Sequence, residues 1–235
     1  FISIALVLML TLSTSSVSFG MQGQAEYSDN ELFELAQSNS FINNDNIQFR
    51  KALPDEVRVT NVSDRYEVLS ENFIIITEKQ PVPKKTGSTQ EIEIRAVGDI
   101  VFCDTTGNEP AFRARATSIL RAESKTFPNT ATGYKGLLFG GKMESMEVGN
   151  SVTSLTCKYT ESGSYYTSSG NTGIATESKS QTWTTNLFSE QTTSAIGKDR
   201  YYTASGGTQI GNAATFYCTR GTGSYSFTIR ATVFR

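Results

Sequence analysis

The stretch Thr215–Phe234, TFYCTRGTGSYSFTIRATVF, decides what kind of fold the C-terminal part of the chain adopts. Its centre, Gly221-Thr222-Gly223, predicts a tight turn, because glycine accepts the backbone angles that turns require. After the turn, apolar residues alternate with polar ones, which is typical of a strand with one buried face. The apolar set is Tyr225, Phe227, Ile229, Ala231 and Val233. The stretch therefore predicts an antiparallel β-hairpin.

Further strands are predicted upstream of this hairpin. The chain has 235 residues, is rich in Gly, Ser and Thr, and contains only 5 Pro, a composition that favours strands and turns. Residues 72–77, NFIIIT, are a strand candidate with a continuous apolar centre, and the other strand candidates alternate or are apolar: Glu91–Phe102, Gly136–Gly140 and Ser151–Tyr159. We predict a β-rich head, an antiparallel sheet or sandwich, over residues 54–235.

A weak internal repeat lies within the head. Residues 165–174, YYTSSGNTGI, resemble residues 201–210, YYTASGGTQI. Two copies are too few for a solenoid. They are either two similar loops drawn from a biased composition or a duplicated hairpin displayed on the surface.

The sequence before the head predicts helices. Ser28-Asp29-Asn30-Glu31 is a capping-box pattern that opens an amphipathic stretch, and a second short helix is predicted over about Ile47–Leu53, before Pro54. We therefore predict an α+β fold, with an N-terminal helical arm over residues 1–53 and the β-rich head after it.

The first 25 residues carry no charged side chain, and the strongly apolar run is Phe1–Leu12, FISIALVLMLTL. Three interpretations are open. A signal peptide would use Ile2–Leu12 as its apolar region and Ser18-Phe19-Gly20 as its cleavage site. A permanent membrane anchor needs about 20 apolar residues, which is longer than this run. The third interpretation is a helix that is inserted in a membrane at first and then packs against copies of itself, with small residues and hydroxyls at the contacts.

The third interpretation resembles the type IV pilin family, in which the processed chain begins at an apolar residue, often Phe, as at Phe1. The resemblance implies a core helix over Ile2 to about Phe19 and a filament built from copies of this chain. Bacterial members usually carry Glu at the fifth position, where this chain has Ala5; archaeal and some minor pilins also lack that Glu. The implied filament-core residues are Phe1, Ile2, Ile4, Ala5, Leu6, Val7, Leu8, Leu10 and Leu12.

From this resemblance we expect an extracellular or cell-surface filament subunit that is inserted in the membrane before assembly. Its partners would be copies of itself, the membrane and a surface or cell receptor. The alternative is a secreted, monomeric β-sandwich adhesin or binding module whose first 20 residues are a signal peptide.

Composition limits the chemistry that we expect. The chain has no His, which excludes catalysis and metal ligation that depend on imidazole. No basic run is long enough to indicate nucleic-acid binding. We predict no enzymatic activity, cofactor or metal.

Two covalent features are expected of an exported chain. The three cysteines, Cys103, Cys157 and Cys218, lack CxxC spacing, and one disulfide is the simplest use of them. Any pairing is open, and we favour Cys157–Cys218. Asn61, in Asn61-Val62-Ser63, is a candidate glycosylation site.

Overall fold

The structure, a computed structural model, describes residues 47–51, 67–80, 95–128, 131–203 and 209–233. These residues form eleven β-strands. In the described part of the chain, no helix is long enough and apolar enough to span a bilayer. The strands are β1 Ile47–Lys51, β2 Glu67–Gln80, β3 Arg95–Glu109, β4 Ala114–Thr126, β5 Thr132–Ser145, β6 Asn150–Tyr166, β7 Thr172–Trp183, β8 Gln191–Ser194, β9 Tyr201–Thr203, β10 Gln209–Arg220 and β11 Gly223–Val233.

All the strands belong to one antiparallel sheet, in the order β1-β2-β3-β4-β5-β9-β6-β10-β11. Strand β7 pairs with the other edge of β6, and β8 pairs with β5. The three residues of β9 pair with both β5 and β6, so β9 joins the two halves of the sheet.

The sheet folds over, so that its two halves face each other. Strand β11 lies against β3 and β4, and β10 lies against β4 and β5. The side chains between them form the apolar core. It includes the fully buried residues Leu120, Phe139, Leu155, Phe216 and Ile229. Each large apolar side chain buried there contributes roughly 1.5–3 kcal/mol to folding.

Asn212 of β10 links the two halves through hydrogen bonds. Its side-chain amide Nδ2 donates to the backbone oxygens of Ile119 in β4, at 3.1 Å, and Gly140 in β5, at 2.6 Å. It also contacts Ser118 Oγ at 3.0 Å, and that hydroxyl donates to the Asn212 backbone oxygen at 3.2 Å. Because Asn212 and Ser118 are both buried, these hydrogen bonds fix the position of β10 relative to β4 and β5.

The predicted α+β class is wrong for the described residues, which are all-β. Residues 47–51, which we placed in a helix of the N-terminal arm, form β1 and pair with β2, with Phe49 opposite Ile76 and Lys51 opposite Ile74. The reason is that Ile74, Ile75 and Ile76 form a rigid β-branched strand whose backbone groups need partners, and this pairing overrides a weak helical pattern. Residues 1–46 of the arm lie outside the described residues.

Candidate ligand-binding face

The two copies of the internal repeat contact each other. Tyr165 of β6 is opposite Tyr202 of β9, and Tyr166 is opposite Tyr201. Strands β9 and β10 run along the same edge of β6, since Tyr202 is opposite Tyr165 and Gln209 is opposite Ser162. The turn of the first copy, residues 167–171, joins β6 to β7. The repeat therefore builds one end of the sheet, which we call the tip.

One side of the tip holds a buried carboxylate. Glu161, 3% exposed, accepts hydrogen bonds from Tyr159 Oη at 2.8 Å and Tyr202 Oη at 3.2 Å. Burial raises the pKa of Glu161 above its usual range despite these two donors. Burial and the nearby Glu161 charge raise the pKa of Tyr202 to about 12. Gly136 makes room for this arrangement, because a Cβ there would lie 2.0 Å from Tyr159 Oη.

Ion pairs at the same end fasten β7 to the segment before β9. Glu177 of β7 binds Lys198, at 2.6 Å, and Arg200. These hydrogen bonds, first that of Lys198 and then that of Arg200, lower the pKa of Glu177. The Arg200 guanidinium also lies 5.0 Å from the centre of the Tyr165 ring. The repeat tyrosines on this side are therefore held by charge as well as by packing.

The other side of the tip is aromatic and basic. Tyr201 Oη donates to Glu123 at 2.6 Å, and Lys135 pairs with the same carboxylate at 3.0 Å. Phe127 stacks on Tyr166, with ring centroids 4.7 Å apart. The stacking on Phe127 therefore holds the Tyr166 ring in place.

A cleft of about 550 Å³ opens at the tip. Ile174, 83% exposed, lies at the cleft, and Gly173 lets the Tyr165 ring come close, since a Cβ at Gly173 would lie 2.5 Å from Tyr165 Oη. The lining combines aromatic rings, an aliphatic side chain and hydroxyls: Ser164, Tyr165, Tyr166, Thr172, Gly173, Ile174 and Thr203.

The cleft continues into a broad hydroxyl-rich surface. In β6, β7, β10 and β11, alternate residues point away from the core, as strand geometry requires. We call this outward set of twenty residues the hydroxyl face. It consists of Ser154, Thr156, Lys158, Thr160, Ser162, Ser164, Thr172, Ile174, Thr176, Ser178, Ser180, Thr182, Gly211, Ala213, Thr215, Tyr217, Ser226, Thr228, Arg230 and Thr232.

Fourteen of the twenty residues of the hydroxyl face are Ser or Thr, of which Thr232 is buried and the other thirteen are at least partly exposed, and none of the twenty is acidic. Cross-strand hydroxyl pairs hold the array in place: Thr156 with Thr182 at 2.9 Å, Ser162 with Thr176 at 2.8 Å, and Thr215 with Thr228 at 2.8 Å. A hydroxyl has one donor and two acceptor positions, so a paired hydroxyl retains capacity for a ligand. The face can therefore bind a partner that itself carries many hydroxyls.

The described cysteines lie away from this face and are buried free thiols. Burial raises the pKa of the Cys157 thiol to about 12 and that of Cys218 to about 11, which opposes thiolate chemistry. Within the described ranges, no cluster of three metal-ligating side chains forms.

The favoured Cys157–Cys218 disulfide is not present. Cys157 is opposite Ala214, and Cys218 lies four residues further along β10, opposite Val152. Four residues of strand span about 13 Å, whereas a disulfide needs Cα atoms within about 7 Å. The strand register therefore keeps the two thiols apart.

The other sequence-predicted site residues lie outside the described residues. These are Asn61 and the filament-core set Phe1, Ile2, Ile4, Ala5, Leu6, Val7, Leu8, Leu10 and Leu12. The hydroxyl face was not predicted as a site. Its signal is present in the sequence, because alternate positions of residues 154–164 and 172–182 are Ser or Thr except for Lys158 and Ile174. The pattern resembles low complexity until the strands are aligned.

The chain matches no protein-family model, no curated protein and no solved structure. The candidate site therefore rests on the geometry of this molecule alone.

Proposed function

We propose that this protein is an exported, non-enzymatic binding module that holds a glycan on the hydroxyl face, with the cleft at the tip as the main subsite. The observation that carries the proposal is that a cleft lined by rings and hydroxyls continues into a surface with thirteen at least partly exposed hydroxyl side chains. A sugar has polar edges and apolar ring faces, so it needs hydroxyl partners and a flat apolar contact together.

The cleft has the size and composition that such a ligand requires. Its volume of about 550 Å³ lies within the range of small-ligand sites, which is about 300–1,000 Å³. Ile174 and the two tyrosines supply the apolar contact, and Ser164, Thr172 and Thr203 supply hydroxyls. The packing of Tyr166 on Phe127 fixes part of the cleft before a ligand arrives, which lowers the entropy that binding must overcome.

Export is part of the same proposal. It is supported by the charge-free residues 1–25, which fit a signal segment that delivers the chain to the cell exterior. Glycans on cell surfaces would then be the accessible partners, consistent with an adhesin.

The proposal is tested by binding of the full chain to a panel of immobilised glycans, followed by titration of the best ligand. The Ile174→Ala variant should weaken binding about tenfold, because it removes roughly 1.5 kcal/mol of apolar contact. Val148→Ala is the matched control, since Val148 is fully exposed in the turn between β5 and β6. Equal losses in both variants, or no binding to any glycan, would reject the proposal.

Assembly into a filament is a second candidate function. It is favoured by the same charge-free segment, whose apolar residues 1–12 would be buried between copies of the chain. Val7→Glu or Leu8→Glu should abolish polymers seen by electron microscopy while leaving the β-sheet circular dichroism unchanged. Normal filaments from either variant would exclude this mode of assembly.

A further inference from the structure

Strand β7 pairs with β6 along one edge only. Along its other edge, the described part of the chain places no strand. The turn before β7 shows which backbone groups point that way. Thr167 N donates to Asn171 O at 2.8 Å, so these two residues form a hydrogen-bonded pair and the next pair, Tyr166 with Thr172, does not.

The same alternation continues along the strand. The N–H and C=O groups of the even-numbered residues from 172 to 182 therefore point away from β6. One side-chain contact agrees with this orientation, since Gln181 Nε2 donates to the backbone oxygen of Thr182 at 3.2 Å. We call this side of β7 the open edge. It presents a regular row of hydrogen-bond donors and acceptors.

The open edge lacks the usual protection against pairing with another chain. Natural edge strands are short, or carry Pro, bulges or charged side chains. Strand β7 has twelve residues, contains no Pro and pairs with β6 in one continuous register. Its two charged residues point inward and are already bound: Glu177 pairs with Lys198 at 2.6 Å, and Lys179 Nζ donates to the Ser194 backbone oxygen at 2.7 Å.

Strand β7 is complementary to itself in the antiparallel direction. When Ser178 lies opposite the partner's Ser178, the outward-bonding residues of the two copies meet, and residues 173–183 pair along their whole length. Glu177 then lies opposite the partner's Lys179, which is a favourable cross-strand pair. Centring the pairing on Glu177 or on Lys179 would instead place like charges opposite each other, so the charges select the first register.

Such an interface would have the hydrogen bonds of an ordinary protein complex. The outward-bonding residues from 174 to 182 would exchange about ten backbone hydrogen bonds, since each directly opposite pair exchanges two. Specific interfaces carry about ten direct hydrogen bonds. Because the pairing uses the backbone edge, the side chains of the hydroxyl face stay on the surface, and the faces of the two copies join side by side.

We infer that two copies of this chain associate through β7, paired antiparallel about a two-fold axis at Ser178, so that the two sheets become continuous. The inference goes beyond glycan binding and does not depend on it, because it uses only the backbone and the charges of β7. A second copy fits better than an unrelated strand, since the register that pairs the whole of β7 also pairs Glu177 with the partner's Lys179.

Cysteine variants of the full chain test the register. The chain is kept in a mild detergent that shields residues 1–12, oxidised with copper phenanthroline and run on a non-reducing gel. Ser178→Cys should give a disulfide-linked dimer, because hydrogen-bonded opposite residues have Cα atoms about 5.5 Å apart and a disulfide needs about 4.4–6.8 Å. The native cysteines are at most 1% exposed and do not compete.

Ser180→Cys is the matched control, since Ser180 is also exposed and lies two residues further along β7. Its two copies would be four residues out of register, about 13 Å apart along the strands, so no disulfide should form. Equal cross-linking of Ser178→Cys and Ser180→Cys would show random collision and would overturn the inference.

A charged variant tests the association without a cross-link. Ser178→Lys places two like charges at the two-fold axis and should raise the dissociation constant of the dimer about fivefold. Native mass spectrometry of the full chain released from detergent measures this shift. Ser226→Lys adds the same charge at an exposed position of β11 and should leave the dimer unchanged.

The remaining outcomes also decide the inference. A full chain that stays monomeric and does not cross-link through Ser178→Cys would overturn it, because the open edge would then be left unpaired or covered by another segment of the same chain. The Ser178→Cys cross-link should persist when Leu8→Glu is added. Its loss there would assign the contact to residues 1–12 instead. Circular dichroism confirms that each variant is folded.

Discussion

The two faces of strand β6 differ although their residues alternate along the same seventeen-residue segment. The inward face presents Leu155, Cys157, Tyr159 and Glu161, all buried, whereas the outward face presents Thr156, Lys158 and Thr160. Substitutions on the inward face should therefore change the free energy of unfolding, and substitutions on the outward face should change binding.

Phe216→Ala should give the largest loss of stability, about 3–5 kcal/mol, because it leaves a cavity in the core. Phe216 is 0% exposed and stacks on Phe227, with ring centroids 5.3 Å apart. Its neighbour Tyr217 lies on the hydroxyl face and is 44% exposed, so Tyr217→Ala is the matched control. Urea unfolding should separate the two variants by at least about 2 kcal/mol. Equal losses of unfolding free energy in the two variants would contradict the division into a buried face and an exposed face.

Asn212→Ala should cost about 1–3 kcal/mol, because it leaves buried backbone oxygens of Ile119 and Gly140 without their side-chain donor. Asn212→Asp should be worse, since a carboxylate cannot donate and its charge would be buried. The order of the two variants in urea unfolding tests the role of the amide. If the Asn212→Asp variant is as stable as the original protein, the Asn212 side chain does not stabilise the fold as a hydrogen-bond donor.

Glu161→Gln should change the pH dependence of stability. Burial raises the pKa of Glu161 above the ordinary value of 4.5, so its carboxyl stabilises the fold most below pH 4.5 and loses that effect as the pH rises through the raised pKa. The stability of Glu161→Gln relative to the original protein should therefore increase with pH over that window. Urea unfolding between pH 4 and pH 8 measures the difference.

Glu177→Gln provides the opposite sign as a control. Lys198 and Arg200 lower the pKa of Glu177, so its contribution is present above pH 4.5 and is lost as the pH falls through the lowered pKa. The stability deficit of this variant should shrink as the solution becomes acidic. The same sign for both variants would contradict the assignment of Glu161 as the buried carboxyl.

Thr156→Val should have the smallest effect on stability, within about 0.5 kcal/mol, because the hydroxyl that it removes lies on the outward face. The substitution conserves shape and breaks the bond to Thr182. Glycan affinity should nonetheless fall, since a position in the hydroxyl row is lost. Unchanged affinity across Thr156→Val, Thr176→Val and Thr228→Val would indicate that the hydroxyl face is only a solvated surface.

Part of the fold was predictable because it depends on local patterns. The alternation after Gly223 predicted β11, and the turn at Gly221 matches the pairing of Arg220 with Gly223. The helix predicted over Ile47–Leu53 failed because its sequence is ambiguous and its partner, Ile74–Ile76, lies more than twenty residues away. A local pattern carries no information about such a distant strand.

The candidate site was less predictable than the strands. The repeat was visible as two Tyr-Tyr pairs, but nothing in the sequence indicated that these pairs lie opposite each other across β6 and β9. Lys158 and Arg230 are 72 positions apart and come together only because Ala213 pairs with both. The favoured disulfide failed for the same reason, since the register that separates Cys157 from Cys218 is a property of the sheet.

The sequence by itself determined that the C-terminal part is β-rich, that no chemistry based on histidine is available, and which residues alternate between two faces. These properties follow from composition and from the two-residue period of a strand. Only the tertiary structure decided the order of the strands, the position of the cleft and the pairing of Ala213 with both Lys158 and Arg230. Strand pairing is non-local, and each register is set by burial of one face against the rest of the sheet.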